Sequence, residues 1–239
     1  MTISQRYIRN LDALSEKDCI CLSEKRVAVI GCGGLGGYAV EMLGRVGVGS
    51  ITVVDPDTFE ESNLNRQLLC NVGNLGTPKV EACALRMAQV NPSVQITAIQ
   101  AALSAQNADG IIADCDCVVD ALDSIATRRI LADACKRNRI PWVFGGIAGW
   151  HGQVSVVWPD DDTADTLLPD DDAEGFPPSD DGDAASTSRH CGQPPFTPAC
   201  IASIQVAETI KVLLQRPEAM RASVLFVDLL AGRTESVEL

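Results

Sequence analysis

The chain has 239 residues, 46% of them hydrophobic, which is enough for one large core or two small ones. The formal net charge is -13, but eleven of the 32 acidic residues lie between residues 160 and 183, where there is no Lys or Arg. Removing those eleven charges leaves a net charge of about -2, so this distribution argues against nucleic acid as the main partner.

The apolar residues are distributed as in a globular protein. No run approaches the ~18 uninterrupted apolar residues of a membrane span, and the first residues lack the layout of a signal peptide. We therefore expect a cytoplasmic protein without a membrane partner. The ten cysteines are expected to be free thiols, and zinc is not expected because no CxxC pair occurs.

The first predicted elements are a helical arm over residues 1–24 and a βαβ unit over residues 26–57. In the βαβ unit an apolar, β-branched strand stops at a glycine cluster, a helical pattern follows, and a second apolar strand ends in an aspartate. This order is typical of nucleotide-binding units, although it does not by itself distinguish ATP from NAD.

Four residues of this unit are candidates for nucleotide contact. Gly31 is expected to permit the tight turn, Gly33 to let the backbone approach phosphate, and Gly36 to let the helix pack closely on the strand. The helix N-terminus offers free N–H groups to an anion. Asp55 follows the second strand, where a carboxylate can accept hydrogen bonds from ribose hydroxyls.

The loop after the second strand is rich in polar and basic residues, with SNLNRQ at 62–67 and GTPK at 76–79. Asn63 supplies a neutral donor, and Arg66 and Lys79 supply cations of the kind that stabilise charge on phosphoryl oxygens. The alternative is that both cations are ordinary solvated surface residues, and their spacing alone does not decide between the two.

A second acidic group closes the strand predicted over Cys117–Asp120, at the edge where ligands bind in such folds. Asp120 and Asp123 lie three residues apart around a strand-to-helix turn. One of them can cap the helix that begins near Ser124, and the other can hold magnesium, which prefers one or two carboxylates plus phosphate oxygens. We assign Asp123 to the metal.

The second half of the chain changes from strand–helix alternation to alternating strands, which favours antiparallel pairing. The predicted fold class is therefore α/β, a single domain with a Rossmann-like sheet whose parallel first half is continued by antiparallel strands. Its parts are a nucleotide-binding core (26–158), an acidic mobile crossover loop (160–197), and a C-terminal helix with strands (198–239). Within them, periodicity predicts helices over 79–91 and 124–138 and strands over 94–99 and 142–144.

Eight short motifs follow one another along nearly the whole chain. They are RYIRN (6–10), GCGGLGG (31–37), VVDPD (53–57), SNLNRQ (62–67), GTPKVEA (76–82), DALDS (120–124), GQVSVV (152–157) and QVAETIKVL (205–213). In this order they resemble the MoeB/ThiF/HesA family, the bacterial relatives of ubiquitin-activating enzymes. The most specific part of the resemblance is SNLNRQ followed by GTPK, and it favours ATP over NAD.

The resemblance implies a ubiquitin-activating-enzyme-like fold and an adenylyltransferase activity. Such enzymes adenylate the C-terminal glycine of a small ubiquitin-like sulfur carrier and release pyrophosphate, for thiamine or molybdopterin-type cofactor biosynthesis. The carboxylate of the carrier is already ionised at neutral pH, so catalysis needs positioning and charge stabilisation rather than a general base.

The resemblance also implies roles for individual residues. The three glycines would form the phosphate turn and the aspartate after the second strand would hold the ribose, as proposed above. The triphosphate would be gripped by Asn63, Arg66 and Lys79, with magnesium on Asp123. Arg9 matches an arginine that reaches across a homodimer interface toward the γ-phosphate. Without the family match, Arg9 is interpreted as an exposed residue of the arm.

The chain departs from the family pattern at three places. Ser124 stands where an asparagine usually follows the second aspartate, so cofactor binding with altered geometry is expected. The two zinc-binding CxxC pairs of many members are absent. Cys191 lies in the crossover loop where some relatives carry a cysteine that links to the carrier, and Arg189 and His190 beside it would favour the thiolate. The alternative for Cys191 is an incidental loop cysteine.

Two further functions stay open as alternatives. The first keeps adenylation but changes the acceptor, as in a tRNA-modifying dehydratase or a peptide modifier, and the near-neutral body without an RNA-binding footprint counts against tRNA. The second is a non-catalytic, dimeric nucleotide-binding scaffold. The joint presence of Arg9, Arg66, Lys79 and Asp123 argues against a scaffold.

Overall fold

A computed structural model describes residues 3–168 and 192–239. Within them, eight strands form one sheet in the order β3-β2-β1-β4-β5-β6-β7-β8. The strands are β1 (Arg26–Ile30), β2 (Ser50–Val54), β3 (Gln95–Ile99), β4 (Cys117–Asp120), β5 (Trp142–Ala148), β6 (His151–Val157), β7 (Ser223–Asp228) and β8 (Arg233–Glu238). The helices are α1 (Glu16–Ser23), α2 (Gly34–Val46), α3 (Lys79–Val90), α4 (Ala108–Ile112), α5 (Ile125–Asn138), α6 (Thr163–Leu167) and α7 (Phe196–Leu213), with a short 3₁₀ helix (Gln5–Asn10) before α1.

The strand pairing confirms the predicted fold class. The pairs among β1 to β5 are parallel, and β5–β6, β6–β7 and β7–β8 are antiparallel. The central strand β1 lies between β2 and β4, so the chain order reverses there. Because ligands bind outside the carboxyl ends of strands at such a reversal, the topology predicts a site beyond Ile30 and Asp120, which are paired in the register.

The sheet is covered on both faces, which explains the continuous apolar runs in its central strands. Val27 and Val29 pack in the core on the side of α2, α3 and α7. Ala28 and Ile30 point to the other side, where the core includes α4 and α5. Successive residues of a strand face opposite sides, so the four buried positions of β1 contribute to two cores.

Three element boundaries differ from the prediction. β5 continues through two glycines to Ala148, because it pairs with β6 and because Gln205 of α7 packs against its backbone; a Cβ on Gly145 would lie 2.3 Å from Gln205 Cδ. Within the predicted crossover loop, Thr163–Leu167 is helical. The last helix begins at Phe196 rather than residue 198, and residues 169–191 lie outside the described part.

In the described part of the chain, α7 is the one helix long and apolar enough to cross a membrane, with a mean hydropathy of 1.2 over 18 residues. A buried core helix passes the same test, and 56% of α7 is buried inside the protein. The finding is therefore weak evidence for a membrane span.

Candidate functional site

A cleft of about 800 Å³ lies beyond the carboxyl ends of β1, β2 and β4. Six residues predicted from the sequence line it: Gly31, Gly33, Asp55, Arg66, Lys79 and Asp123. The fold brings these residues together from five separate segments, because the parallel strands end at the same edge of the sheet.

The glycine turn leads from β1 into α2 and forms one wall of the cleft. Gly31 has a φ of +97°, and a Cβ there would lie 2.5 Å from the carbonyl oxygen of Ala121. A Cβ on Gly36 would lie 1.8 Å from the carbonyl oxygen of Gly31, so Gly36 serves close packing and does not line the cleft. No side chain of the described residues caps the N-terminus of α2 at Gly33, which leaves the first N–H groups of this helix available to an anion.

Asp55 connects the glycine turn to the loop after β2. Its Oδ2 accepts the N–H of Cys32 at 2.6 Å, and its Oδ1 accepts the N–H of Asp57 at 2.8 Å. Burial raises the pKa of the Asp55 carboxyl, while these two hydrogen bonds and Lys79 act in the opposite direction. Asp55 therefore holds the shape of the cleft wall, and its contact with a ribose stays a prediction.

Lys79 is the first residue of α3 and is only 7% exposed. Its Nζ lies 2.8 Å from Asp57 Oδ2 and 3.8 Å from Asp55 Oδ1. The alternative interpretation of Lys79 as a solvated surface cation is therefore wrong. A buried ammonium between two carboxylates at the edge of a cleft is a charge held in a fixed position.

Arg66 is half-buried at the same edge of the cleft. Its guanidinium donates to the carbonyl oxygen of Ser62 at 2.9 Å and to Asn65 Oδ1 at 3.0 Å. It has no carboxylate partner among the residues that the structure describes. The positive charge of Arg66 is therefore available to an anion, whereas that of Lys79 is shared with two carboxylates.

Asn63 is placed differently from the prediction. It is buried, and its Oδ1 accepts the N–H of Glu60 at 3.1 Å within a short 3₁₀ turn. It borders a small side pocket next to Asp57 and Lys79 rather than the main cleft. Its amide is therefore engaged in holding the loop that carries Arg66.

The two acidic residues after β4 have different surroundings. Ser124 Oγ accepts the N–H of Thr127 at 3.5 Å and caps α5, so the alternative that one of the carboxylates caps this helix is wrong. Ser124 does not line the cleft. Asp123 is exposed and makes no hydrogen bond or ion pair with the described residues. Asp120 is completely buried, and this burial raises its pKa to about 6.

The cleft suits magnesium only in part. A carboxylate that faces a cleft and has no partner among the described residues is the type of ligand that magnesium takes together with phosphate oxygens, and Asp123 meets this description. Within residues 3–168 and 192–239, no group of three or more His, Cys, Asp or Glu side chains could hold a metal by itself. Any magnesium there would therefore depend on the nucleotide for most of its ligands.

Three residues of the site received no role from the sequence. Arg128 lines the cleft, and its only local signal is a position four residues after the cap of α5. Gln67 is 6% exposed beside Gly33, and its Oε1 has no hydrogen-bond partner within residues 3–168 and 192–239. Asp57 ends the VVDPD motif, and the structure shows that it is the nearer of the two carboxylates that pair with Lys79.

Arg9 lies far from the cleft of its own chain. The arm is fixed to the C-terminal end of α2, where Asn91 donates to Tyr7 Oη at 2.8 Å and Asn10 donates to the carbonyl oxygen of Val46 at 3.3 Å. The cleft lies at the N-terminal end of α2, and thirteen residues of helix span about 20 Å. Arg9 is exposed and has no ion pair among the described residues, so it reaches no cleft within its own chain.

The cysteines that the structure describes are free thiols. Cys32 and Cys117 are buried core residues, and Cys115 is half-buried with a pKa raised to about 11 by desolvation. Cys191 lies outside the described residues.

The chain is similar to known proteins over most of its length. The model of the ThiF family matches residues 5–239. The SAMP-activating enzyme E1 of Haloferax volcanii is 37% identical over 97% of this chain and 84% of its own length. The sulfur carrier protein adenylyltransferase of Thermus thermophilus is 34% identical over 87% of this chain and 76% of its own length. The molybdopterin-synthase adenylyltransferase of Escherichia coli is 37% identical over 56% of this chain and 54% of its own length.

Solved structures share the fold. The tRNA N6-threonylcarbamoyladenosine dehydratase TcdA of Escherichia coli superposes with a TM-score of 0.73 and 25% identity, over 90% of this chain and 98% of that one. MccB of Escherichia coli, solved with ATP, superposes with a TM-score of 0.77 and 18% identity, over 99% of this chain and 72% of the MccB chain. From the match over residues 5–239 and the sequence relatives that cover most of both chains, this chain belongs to the ThiF family.

Proposed function

We propose that this protein uses ATP to adenylate the C-terminal glycine of a small ubiquitin-like sulfur-carrier protein, with release of pyrophosphate. The observation that carries the proposal is the distribution of charge in the cleft. Positive charge comes from the open N-terminus of α2, from Arg66, which has no carboxylate partner among the described residues, and from Lys79, which is held between Asp55 and Asp57. The cleft is also lined by the carboxylate of Asp123, which has no partner among the described residues. That arrangement suits a metal-bound triphosphate better than a nicotinamide dinucleotide.

In this proposal the chain contributes positioning and charge rather than a proton acceptor. The glycine turn at Gly31 and Gly33 would bring backbone N–H groups to the phosphates, and Arg66 and Lys79 would neutralise the repulsion between the triphosphate and the attacking carboxylate. Asp123 would hold magnesium, which neutralises phosphate charge when bound. Asp55 would contact the ribose, with Asn63 and Ser124 supporting the loops around the site.

A homodimer is part of the proposal because of the position of Arg9. Its guanidinium has no ion pair with the part of the chain that the structure describes, and the arm that carries it is fixed at the end of α2 away from the cleft. An arginine that contributes to catalysis from this position would have to act in the cleft of a second copy. Activity would then depend on dimer formation.

The choice of acceptor rests on the relatives. Those that cover most of this chain are named as a SAMP-activating enzyme E1 and a sulfur carrier protein adenylyltransferase. We propose that the activated carrier would deliver sulfur for thiamine or molybdopterin-type cofactor biosynthesis. Cytoplasmic location also stays a prediction.

The proposal is tested by trapping the activated glycine. The protein is incubated with ATP, Mg²⁺ and a small carrier that ends in Gly-Gly, and hydroxylamine is added to convert the acyl adenylate to a hydroxamate. We expect the mass of the carrier hydroxamate, and no product when the last glycine is deleted. ATP turnover without modification of any Gly-Gly carrier would contradict the proposed acceptor.

A second acceptor class has specific structural support. TcdA is matched over 98% of its length, and it is named as a tRNA dehydratase. The same assay with tRNA in place of the carrier distinguishes the two, because a dehydratase would consume ATP in a tRNA-dependent reaction. The net charge of -13 favours the carrier.

Cys191 is proposed as a residue that forms a covalent link to the carrier after adenylation. Incubation with carrier and ATP, followed by non-reducing gel electrophoresis, would show a thiol-sensitive adduct that Cys191→Ala removes. An unchanged carrier reaction without an adduct would leave adenylation as the whole reaction.

A further inference from the structure

We propose that Arg128 is a positioning residue that sets the direction in which Asp123 faces the cleft. The inference rests on the proposed function, because it takes Asp123 as the residue that would hold magnesium. The question is what makes the Asp123 carboxylate face the cleft. Neither the exposure of Asp123 nor its position in the sequence explains this direction.

The side chain of Arg128 joins the loop after β4 to strand β5. Its Nη2 donates to the carbonyl oxygen of Leu122 at 2.6 Å and to that of Gly145 at 2.7 Å. The guanidinium carbon lies 4.6 Å from the ring centroid of Phe144, so the cation is also held over an aromatic face. Only 12% of the Arg128 side chain is exposed, and its guanidinium is held both by the loop after β4 and by strand β5.

Leu122, the residue before Asp123, is held from two sides. Its N–H donates to Asp120 Oδ1 at 2.9 Å, and its carbonyl oxygen accepts from Arg128. Asp120 and Arg128 also attract each other, with 3.4 Å between Asp120 Oδ2 and Arg128 Nε. Both polar groups of the Leu122 backbone therefore depend on one buried ion pair.

Asp123 has no partner of its own to fix it within the described residues. Its direction follows from the backbone on either side, which Arg128 holds at Leu122 and the helix cap holds at Ser124. If Arg128 is changed, the carbonyl oxygen of Leu122 loses its hydrogen-bond donor, and the carboxylate of Asp123 loses its fixed direction.

A lysine keeps the charge but lacks the planar group that faces the two carbonyl oxygens and Asp120 with different nitrogens. It has a single terminal nitrogen, whereas Arg128 uses Nη2 for the two carbonyl oxygens and Nε toward Asp120. Arg128→Lys therefore separates positioning from charge. Arg137→Lys is the matched control, because Arg137 is on the same helix, exposed, and paired with Asp109.

The test measures ATP binding by calorimetry with saturating Mg²⁺ and again with EDTA. We expect Arg128→Lys to weaken binding in Mg²⁺ by about 10-fold or more, as for residues that orient a metal ligand, and to change binding in EDTA by less than about 2-fold. Amide hydrogen exchange at Leu122, measured without nucleotide, should become faster. Equal loss in Mg²⁺ and EDTA, or unchanged exchange at Leu122, would overturn the inference.

Asp123→Ala separates this inference from the proposed function. If Asp123→Ala leaves the Mg²⁺-dependent part of binding intact, the magnesium assignment itself fails. If Asp123→Ala removes that part and Arg128→Lys does not, only the positioning role fails. Adding Arg128→Lys to Asp123→Ala should give no further loss, and an additive loss would contradict an action through Asp123.

A second variant covers the case in which Arg128→Lys does not fold. Asp120→Asn keeps the shape of the buried side chain but removes its charge, so it weakens the hold on Arg128. We expect the same loss confined to Mg²⁺, smaller than in Arg128→Lys. Full retention of Mg²⁺-dependent binding in Asp120→Asn together with faster exchange at Leu122 would also overturn the inference.

Discussion

The Nζ of Lys79 lies 2.8 Å from Oδ2 of Asp57, and both residues border the cleft. The two side chains differ in surroundings, because the Lys79 side chain is 8% exposed and that of Asp57 is 63% exposed. A nucleotide phosphate would therefore compete with a solvated carboxylate for a buried ammonium group. The exchange of partners would leave Asp57 in water, where its charge is stabilised.

Removal of the Lys79 charge tests this site directly. We expect Lys79→Met to weaken ATP binding by roughly 10- to 100-fold, because a charge-assisted contact is lost while the neighbouring carboxylates remain. Calorimetry measures the change. Lys136→Met, at an exposed position of α5, is the control and should bind ATP as the parent does. Unchanged ATP affinity in Lys79→Met would remove Lys79 from the site.

The glycines of the turn should separate into structural and binding positions. Gly36→Ala places a Cβ 1.8 Å from a backbone oxygen, so we expect a loss of more than about 3 kcal/mol in the free energy of unfolding. A Cβ on Gly33 meets only the Gln67 amide at 3.7 Å, so Gly33→Ala should lose less stability and mainly weaken ATP binding. Chemical denaturation and calorimetry measure both quantities. Equal loss of stability in the two variants would contradict this division.

Asp120 should make stability depend on pH. Burial raises its pKa from 3.8 to about 6, so the folded protein binds more protons than the unfolded chain between these values. The stabilisation by the protonated carboxyl is complete at low pH and is lost as the pH rises through about 6. The difference in free energy of unfolding between the parent and Asp120→Asn should therefore fall by at most about 3 kcal/mol from pH 4 to pH 7. A difference independent of pH would contradict this prediction.

Arg9 should act only across a dimer. We expect Arg9→Ala and Asp123→Ala each to lose pyrophosphate exchange when alone. Subunit exchange between them creates mixed dimers in which one of the two clefts has both residues, so about one quarter of the parental activity should return. Pyrophosphate exchange by a monomeric fraction of the parent protein would show that Arg9 does not act in trans. The same conclusion would follow if mixed dimers were shown to form and did not recover pyrophosphate exchange.

The positions of the central elements could be predicted because their signals are local. The apolar run of Cys117–Asp120 and the helical pattern that follows Ser124 each lie within the element that they define, although the capping residue itself was assigned wrongly. The length of β5 could not be predicted from the sequence, because glycines normally end a strand. Here the absence of a Cβ at Gly145 leaves space for the side chain of Gln205, which comes from a helix distant in sequence. Such a contact depends on how α7 packs against the sheet.

The candidate site shows the same division. The residue types at the cleft could be predicted from the motifs, but the burial of Lys79 and its pairing with Asp57 depend on where α3 meets β2. The ion pair of Asp120 and Arg128 joins a strand to a helix and has no sequence signal beyond its charges. Electrostatic environment is set by tertiary packing, so it follows only from the folded structure.

Carrier-dependent exchange of labelled pyrophosphate into ATP tests the central claim most directly, because it requires reversible adenylation and no later step. We predict exchange with a small carrier that ends in Gly-Gly, none with the same carrier lacking its last glycine, and a loss of about 100-fold or more in Arg66→Ala. Exchange that persists in both Arg66→Ala and Asp123→Ala would contradict the proposed site. Absence of exchange with every Gly-Gly carrier, while the protein still binds ATP, would contradict the proposed reaction.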